Sequence, residues 1–210
     1  MSINAKPDYW EEARAVLRER DRVLNRLIPE ESGSFLLSRG DPFCTLARAV
    51  VGQQISLKAA DAIWQRCEAA CGPVMTPVSL QRVGVEGLRK AGLSQRKAEY
   101  LYDLANHFVS EQVHPALWSD MDDLSIVSEL TAIRGIGRWT ADMFLIFNLR
   151  RPDVLPLDDL GLLRAISHHY FSGEPVSRFE AREVAQAWSP WCTVATWYLW
   201  RSLDPVSVEY

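Results

Sequence analysis

The chain has 210 residues, of which 48% are hydrophobic and 24% charged, enough to bury a core of one or two ordinary globular domains. No apolar run approaches the ~20 residues of a membrane helix, the N-terminus lacks a leader pattern, and Cys44, Cys67, Cys71 and Cys192 lack paired zinc-type spacing, so a reduced cytoplasmic setting is expected. The net charge of −4 argues against a broadly cationic nucleic-acid surface, yet leaves room for a grip through backbone amides at helix N-termini.

Apolar residues recur at three- and four-residue steps almost throughout, and strand-like alternation is absent over any useful length. A first amphipathic helix is predicted from about Asp8 to Ile28, ended by Pro29. Asp41-Pro42 opens a second, carrying Phe43, Leu46, Ala47, Val50 and Val51 inward and stopping near Gly52. Ser56 caps a third, with Leu57, Ile63, Trp64 and Cys67 inward, which ends at Gly72. Two short pieces broken by Gly84 and Gly92 precede a longer helix from about Ser94 to Gln112. Asp122 or Asp123 starts a helix reaching Ile133, and another runs from Trp139 to about Leu149. Asp158 or Asp159 caps a helix through Tyr170, Ser177-Arg178-Phe179-Glu180 is a capping box for one reaching Trp188, and the last helix spans about Pro190 to Leu203.

Three places carry chemistry. In Ile133-Arg134-Gly135-Ile136-Gly137-Arg138-Trp139-Thr140, two glycines allow a tight reversal between helices, and Ile136 can plug the space between them. The turn delivers a helix N-terminus whose amides and dipole suit a phosphate; a plain helix-helix turn explains the glycines equally. Val154-Leu155-Pro156-Leu157-Asp158-Asp159-Leu160 puts two carboxylates at a helix start, where they serve as caps or lie near the positive charge that develops on a sugar as its glycosidic bond breaks. Aspartates are ordinarily anionic at neutral pH, so such a group is ready without prior deprotonation. Finally, Gly52-Gln53-Gln54-Ile55-Ser56 sets two amides side by side between helices, awkward for a core but suited to filling the gap left by an extruded base.

Together, and in this order, these motifs resemble the helix-hairpin-helix (HhH-GPD) DNA glycosylase superfamily over about Asp41 to Trp200. The run Trp188-Ser189-Pro190-Trp191-Cys192-Thr193-Val194-Ala195-Thr196-Trp197-Tyr198-Leu199-Trp200 is similar to the closing helix of its DNA-3-methyladenine glycosylase II branch. The resemblance implies Asp159 as the catalytic carboxylate and Asp158 as the neighbour that caps or orients. It implies a base pocket of Trp139, Met143 and Trp200, with Met143 replacing an aromatic of some members. DNA contacts fall to Gln53, Gln54, Gly135, Gly137, Arg138 and Thr140, with Gln54 where some members carry a leucine wedge. Strand-cutting members have a lysine that attacks the sugar; Trp139 stands in that place, so water is the expected nucleophile and the strand stays whole. An aromatic face there suits a cationic, ring-methylated purine. No organic cofactor or iron-sulfur cluster is implied; a Na⁺ or K⁺ beside the hairpin carbonyls of Ile133 and Gly135 is.

The expected architecture is therefore all-α, with two helical lobes and DNA in the cleft between them. Segment 1–33 is a helix joining the C-terminal lobe, 34–145 a helical barrel with the hairpin, and 146–210 the helices completing the second lobe. The N-terminal β domain of some larger relatives has no counterpart, because helix signals begin near Asp8. Arg48, Lys58, Arg96, Lys97, Arg134 and Arg138 are the cations available to phosphates. The expected partner is double-stranded DNA with a damaged base, met by a monomer with no membrane involvement. Two rivals stay open: a non-enzymatic hairpin module that holds DNA, and a glycosylase for oxidised or mismatched bases.

Overall fold

Helix-capping side chains decide where this chain turns. In the computed structural model, which describes residues 5–31 and 33–203, Asp41, Ser56, Ser94, Asp122, Asp159 and Ser177 each accept a backbone N–H from the first turn of the helix that follows. The elements are α1 (Trp10–Arg20), α2 (Arg22–Leu27), α3 (Pro42–Gly52), α4 (Leu57–Cys71), α5 (Pro77–Lys90), α6 (Gln95–Val109), α7 (Asp123–Thr131), α8 (Arg138–Phe147), α9 (Leu160–Tyr170), α10 (Arg178–Ala185) and α11 (Cys192–Leu203). There is no strand among the described residues, so the all-α expectation holds, and none of these helices is long and apolar enough to cross a membrane. Residues 1–4, 32 and 204–210 of the outer predicted segments lie outside the described residues.

Arg39–Phe144 forms one compact unit. Its core is built from the inward faces of α3 (Phe43, Leu46, Ala47, Val50), α5 (Leu80, Leu88), α6 (Leu101, Leu104, Ala105) and α7 (Ile126, Leu130). Phe43, Phe108, Trp118 and Phe144 run edge-to-face through it, with centroids 5.1–6.2 Å apart. The indole of Trp118 donates to Glu129 at 2.8 Å, which satisfies a polar group that would otherwise be buried unpaired. Gly84, at φ 67°, breaks α5 where the sequence expected a break. Leu57 departs from expectation: it is 74% exposed, because the first residue of α4 sits at the rim rather than on the inward stripe.

Residues up to Ser38 and from Leu145 onward form the other unit. Trp10, Ala13 and Leu17 of α1 are buried, as are Leu162, Ala165 and Ile166 of α9 and Val194 to Trp200 of α11. Trp10 meets Trp197 edge-on at 5.2 Å. The single helix predicted over Asp8–Ile28 is two helices. Asp21 leaves helical geometry (φ −131°, ψ 117°), and its Oδ1 accepts from the amides of Val23 and Leu24 while its Oδ2 accepts from Tyr170 Oη at 2.7 Å and Trp188 Nε1 at 3.0 Å. Four donors meeting one buried carboxylate outweigh the loss of helical continuity. Two of them come from residues about 150 positions away in sequence, which no local pattern reveals.

Candidate active site and DNA-contacting elements

Asp159 is the N-cap of α9 and is only 4% exposed. Its Oδ1 accepts from the Leu162 amide at 2.7 Å and from the Trp200 indole Nε1 at 2.8 Å. The first bond is ordinary capping; the second ties the carboxylate to α11, so cap and indole fix one oxygen from two elements. Of the two aspartates the sequence offered as the cap, Asp159 takes the role, while the Asp158 carboxylate pairs with Arg178 at 2.8 Å on the surface. Trp200 is 5% exposed, with Phe147 stacked parallel to it at 5.8 Å. Sequence reasoning missed Phe147 and also Gly161. A Cβ built at Gly161 lies 3.0 Å from Asp159 Oδ1 and 3.4 Å from the Trp200 ring, so a side chain there would press on the carboxylate-indole pair. Glycine two residues after an acidic cap was the available signal.

The hairpin lies in the Arg39–Phe144 unit. Ile136 is buried, as the plug role requires. Gly135 has φ 88°, and a Cβ on it would sit 2.2 Å from the Tyr100 ring, so conformation and space both demand glycine. Gly137 differs: a Cβ there meets nothing within 4 Å, which leaves open space beside the start of α8. Arg138 donates through Nε to the buried Asp142 carboxylate at 2.8 Å. Thr140 is buried. Trp139 is half-buried and Met143, one turn on, is buried.

The glutamine loop separates the roles of its two amides. Gln54 is exposed with φ 58°, a left-handed conformation uncommon outside glycine. Gln53 is half-buried, and its Nε2 donates to the Gly135 carbonyl at 2.9 Å, so this amide nitrogen is turned to the hairpin rather than outwards. Lys97, expected to face phosphates, instead donates through Nζ to the carbonyls of Val51 at 2.8 Å and Gln53 at 2.6 Å, and burial lowers the pKa of its ammonium. Of the other cations, Arg48 pairs with Asp61, Arg96 with the Tyr100 hydroxyl, and Arg134 approaches Asp103 at 3.5 Å, while Lys58 is exposed on the first turn of α4.

Of the carbonyls named for an alkali ion, that of Gly135 accepts from Gln53 Nε2 and that of Ile133 from the Ile136 amide at 3.1 Å, which leaves each oxygen a second lone pair. Among the described residues no group of three or more His, Cys, Asp or Glu could hold a metal ion.

Residues 47–190 match the HhH-GPD superfamily of base excision DNA repair proteins. The chain is 30% identical over 189 residues to DNA-3-methyladenine glycosylase 1 of Schizosaccharomyces pombe, covering 89% of this chain and 83% of that protein. Its fold is similar to the crystal structure of a DNA-3-methyladenine glycosidase from Bacillus halodurans, with a TM-score of 0.85, 34% identity, and 100% and 94% of the two chains covered. It is also similar to an S. pombe 3-methyladenine DNA glycosylase solved with abasic DNA, at a TM-score of 0.77, 29% identity, and 91% and 96% coverage.

Proposed function

From the premise that this chain belongs to the HhH-GPD superfamily of base excision DNA repair proteins, we propose that it is a monofunctional DNA glycosylase that hydrolyses the N-glycosidic bond of alkylated purines, of the 3-methyladenine and 7-methylguanine type. The observation that carries the reading is the Asp159 carboxylate, withdrawn from solvent and held by the Leu162 amide and the Trp200 indole. Such a group, fixed before the reaction starts, stabilises positive charge building on a deoxyribose without reorganising in the transition state. The catalytic role of Asp159 and the DNA-contacting roles below belong to the proposal.

The substrate strand is held at the N-terminal end of α8, beside Gly137, with Arg138 adding a cation. Gln54 enters the base stack as the nucleotide swings out, and the purine stacks against the Trp139 indole. Ring methylation makes the purine cationic, which favours an indole face by roughly 0.5–2 kcal/mol and makes the base a good leaving group. The C1′–N bond breaks with its electron pair going to the purine. Asp159 faces the resulting oxocarbenium, water adds to C1′, and the water's proton leaves to solvent. With Trp139 in place of an attacking lysine, no imine with the sugar forms and the phosphodiester survives. The enzyme acts as a monomer on double-stranded DNA in the cytoplasm.

Incubating the protein with methylated duplex DNA, then measuring free bases and strand integrity separately, tests the whole reading. Free methylpurine with intact strands is expected. Strand cleavage accompanying release refutes the monofunctional assignment, and binding without release from any lesion favours a module that only holds DNA.

A further inference from the structure

One face of α6 carries Lys97, Tyr100 and Asp103 at a three-residue spacing, which places them on neighbouring turns. Each engages a segment read above as contacting DNA. Lys97 Nζ binds the carbonyls of Val51 and Gln53 at the root of the glutamine loop. The Tyr100 ring fills the space over the Gly135 α-carbon. Asp103 Oδ2 accepts from the Arg134 amide at 2.9 Å. The circuit closes through Gln53 Nε2 on the Gly135 carbonyl.

We infer that this face of α6 is a positioning surface for base extrusion, which fixes the spacing between Gln54 at the loop tip and the phosphate-binding end of α8. The inference rests on the DNA glycosylase reading. Extruding a nucleotide costs a few kcal/mol, and the side chain that displaces it is pushed back by the stack. A surface loop whose tip holds a non-glycine residue at positive φ yields under that load unless its backbone is tied down. Here the carbonyl on either side of Gly52 is bound by a half-buried ammonium, and the loop is bonded sideways to the hairpin. The phosphate grip and the wedge therefore move as one body, so force applied at one is resisted at the other. Tyr100 and Asp103 make the hairpin end of this body as stiff as the loop end.

Lys97→Met keeps the length of the side chain and removes its donors. The probes are a duplex with a tetrahydrofuran abasic analogue beside 2-aminopurine, the same duplex undamaged, and methylated DNA in duplex and single-stranded form. Expected for the variant are undamaged-duplex affinity within twofold of wild type, a preference for the abasic duplex reduced at least tenfold, and loss of the 2-aminopurine signal. Methylpurine release falls at least tenfold from duplex but stays within twofold from single strands, where no stack has to be opened. A folded variant that keeps its abasic preference within twofold, or loses duplex and single-strand activity equally, overturns the inference. Asp103→Ala, which unties the hairpin end of the same face, is scored identically if Lys97→Met melts below the assay temperature. Should wild type release no base from any methylated DNA, the glycosylase reading fails, while the two binding arms still decide whether α6 positions the wedge.

Discussion

Replacing Asp159 with asparagine separates charge from geometry at the proposed centre. The carboxylate oxygen Oδ1 accepts two bonds, from Leu162 N at 2.7 Å and Trp200 Nε1 at 2.8 Å. An asparagine carbonyl oxygen accepts both, and asparagine caps helices as well as aspartate does, so Asp159→Asn is expected to change stability by less than about 1 kcal/mol. What it removes is the negative charge that the proposed mechanism sets against the oxocarbenium, for which a loss of about a hundred- to a thousandfold or more in the rate of base release is expected. Asp159→Ala is the contrasting perturbation. It forfeits the cap, about 1 kcal/mol, and leaves the buried Trp200 N–H without this acceptor, about 1–3 kcal/mol. The combined loss of about 2–4 kcal/mol corresponds to a Tm lower by roughly 4–16 °C in a chain of this size. Thermal melts and chromatographic quantitation of methylpurine released from duplex DNA give the two readouts. An Asn variant that retains release within twofold of wild type, or one that melts as low as the Ala variant, refutes the assignment of a catalytic charge on a structurally sufficient cap.

The two hairpin glycines are expected to fail differently: Gly135→Ala meets the Tyr100 ring at 2.2 Å with φ at 88° and lowers stability by about 1–3 kcal/mol, whereas Gly137→Ala leaves Tm nearly unchanged but weakens DNA binding in gel-shift titrations, because its methyl group occupies the open space beside α8. Trp200→Phe keeps an aromatic ring against Phe147 but removes the indole N–H from Asp159; base release is expected to fall about tenfold through kcat rather than KM, measured by steady-state kinetics on methylated duplex. Glu129 gives a pH test: burial would raise its pKa, but the hydrogen bonds from Trp118 and His114 together hold it below the ordinary 4.5. A depressed carboxylate stabilises the fold above its unfolded value and loses that contribution as pH falls through its folded value, so Glu129→Gln should lower Tm at pH 7, and the gap to wild type should close as pH falls below the ordinary carboxylate range.

Much of the helical frame was legible because its signals are local. Asp41-Pro42, Ser56, Ser94 and the Ser177-Glu180 box are caps whose acceptor and donor lie within three or four residues, and Gly84 breaks α5 through its own dihedral preference. The same locality explains the errors. The pattern over Asp8–Ile28 has helical periodicity throughout, yet Tyr170 and Trp188 converge on Asp21 and make a break there favourable. Leu57 matched the apolar stripe of α4 but lies at a helix start that no neighbouring element covers, so it stays exposed.

At the candidate site the division is similar. Gly135, Gly137 and the acidic pair could be picked out from residue type and spacing, since tight reversals and caps demand those residues wherever they occur, whereas Trp139 and Trp200 stood out only through the resemblance to the family. That Trp200 hands its N–H to the Asp159 cap depended on α11 arriving beside α9 from 41 residues away. Lys97 read as a cation for phosphate because a charge shows no direction in a sequence. Only the approach of the α3–α4 loop to α6 turned it inward onto two carbonyls, and the same approach set Gln53 on the hairpin. Residue identities alone determined most helix starts and what chemistry the chain carries; tertiary contact decided the break at Asp21 and which atom each polar group serves, because a hydrogen bond specifies a partner at about 3 Å and sequence distance carries no such measure.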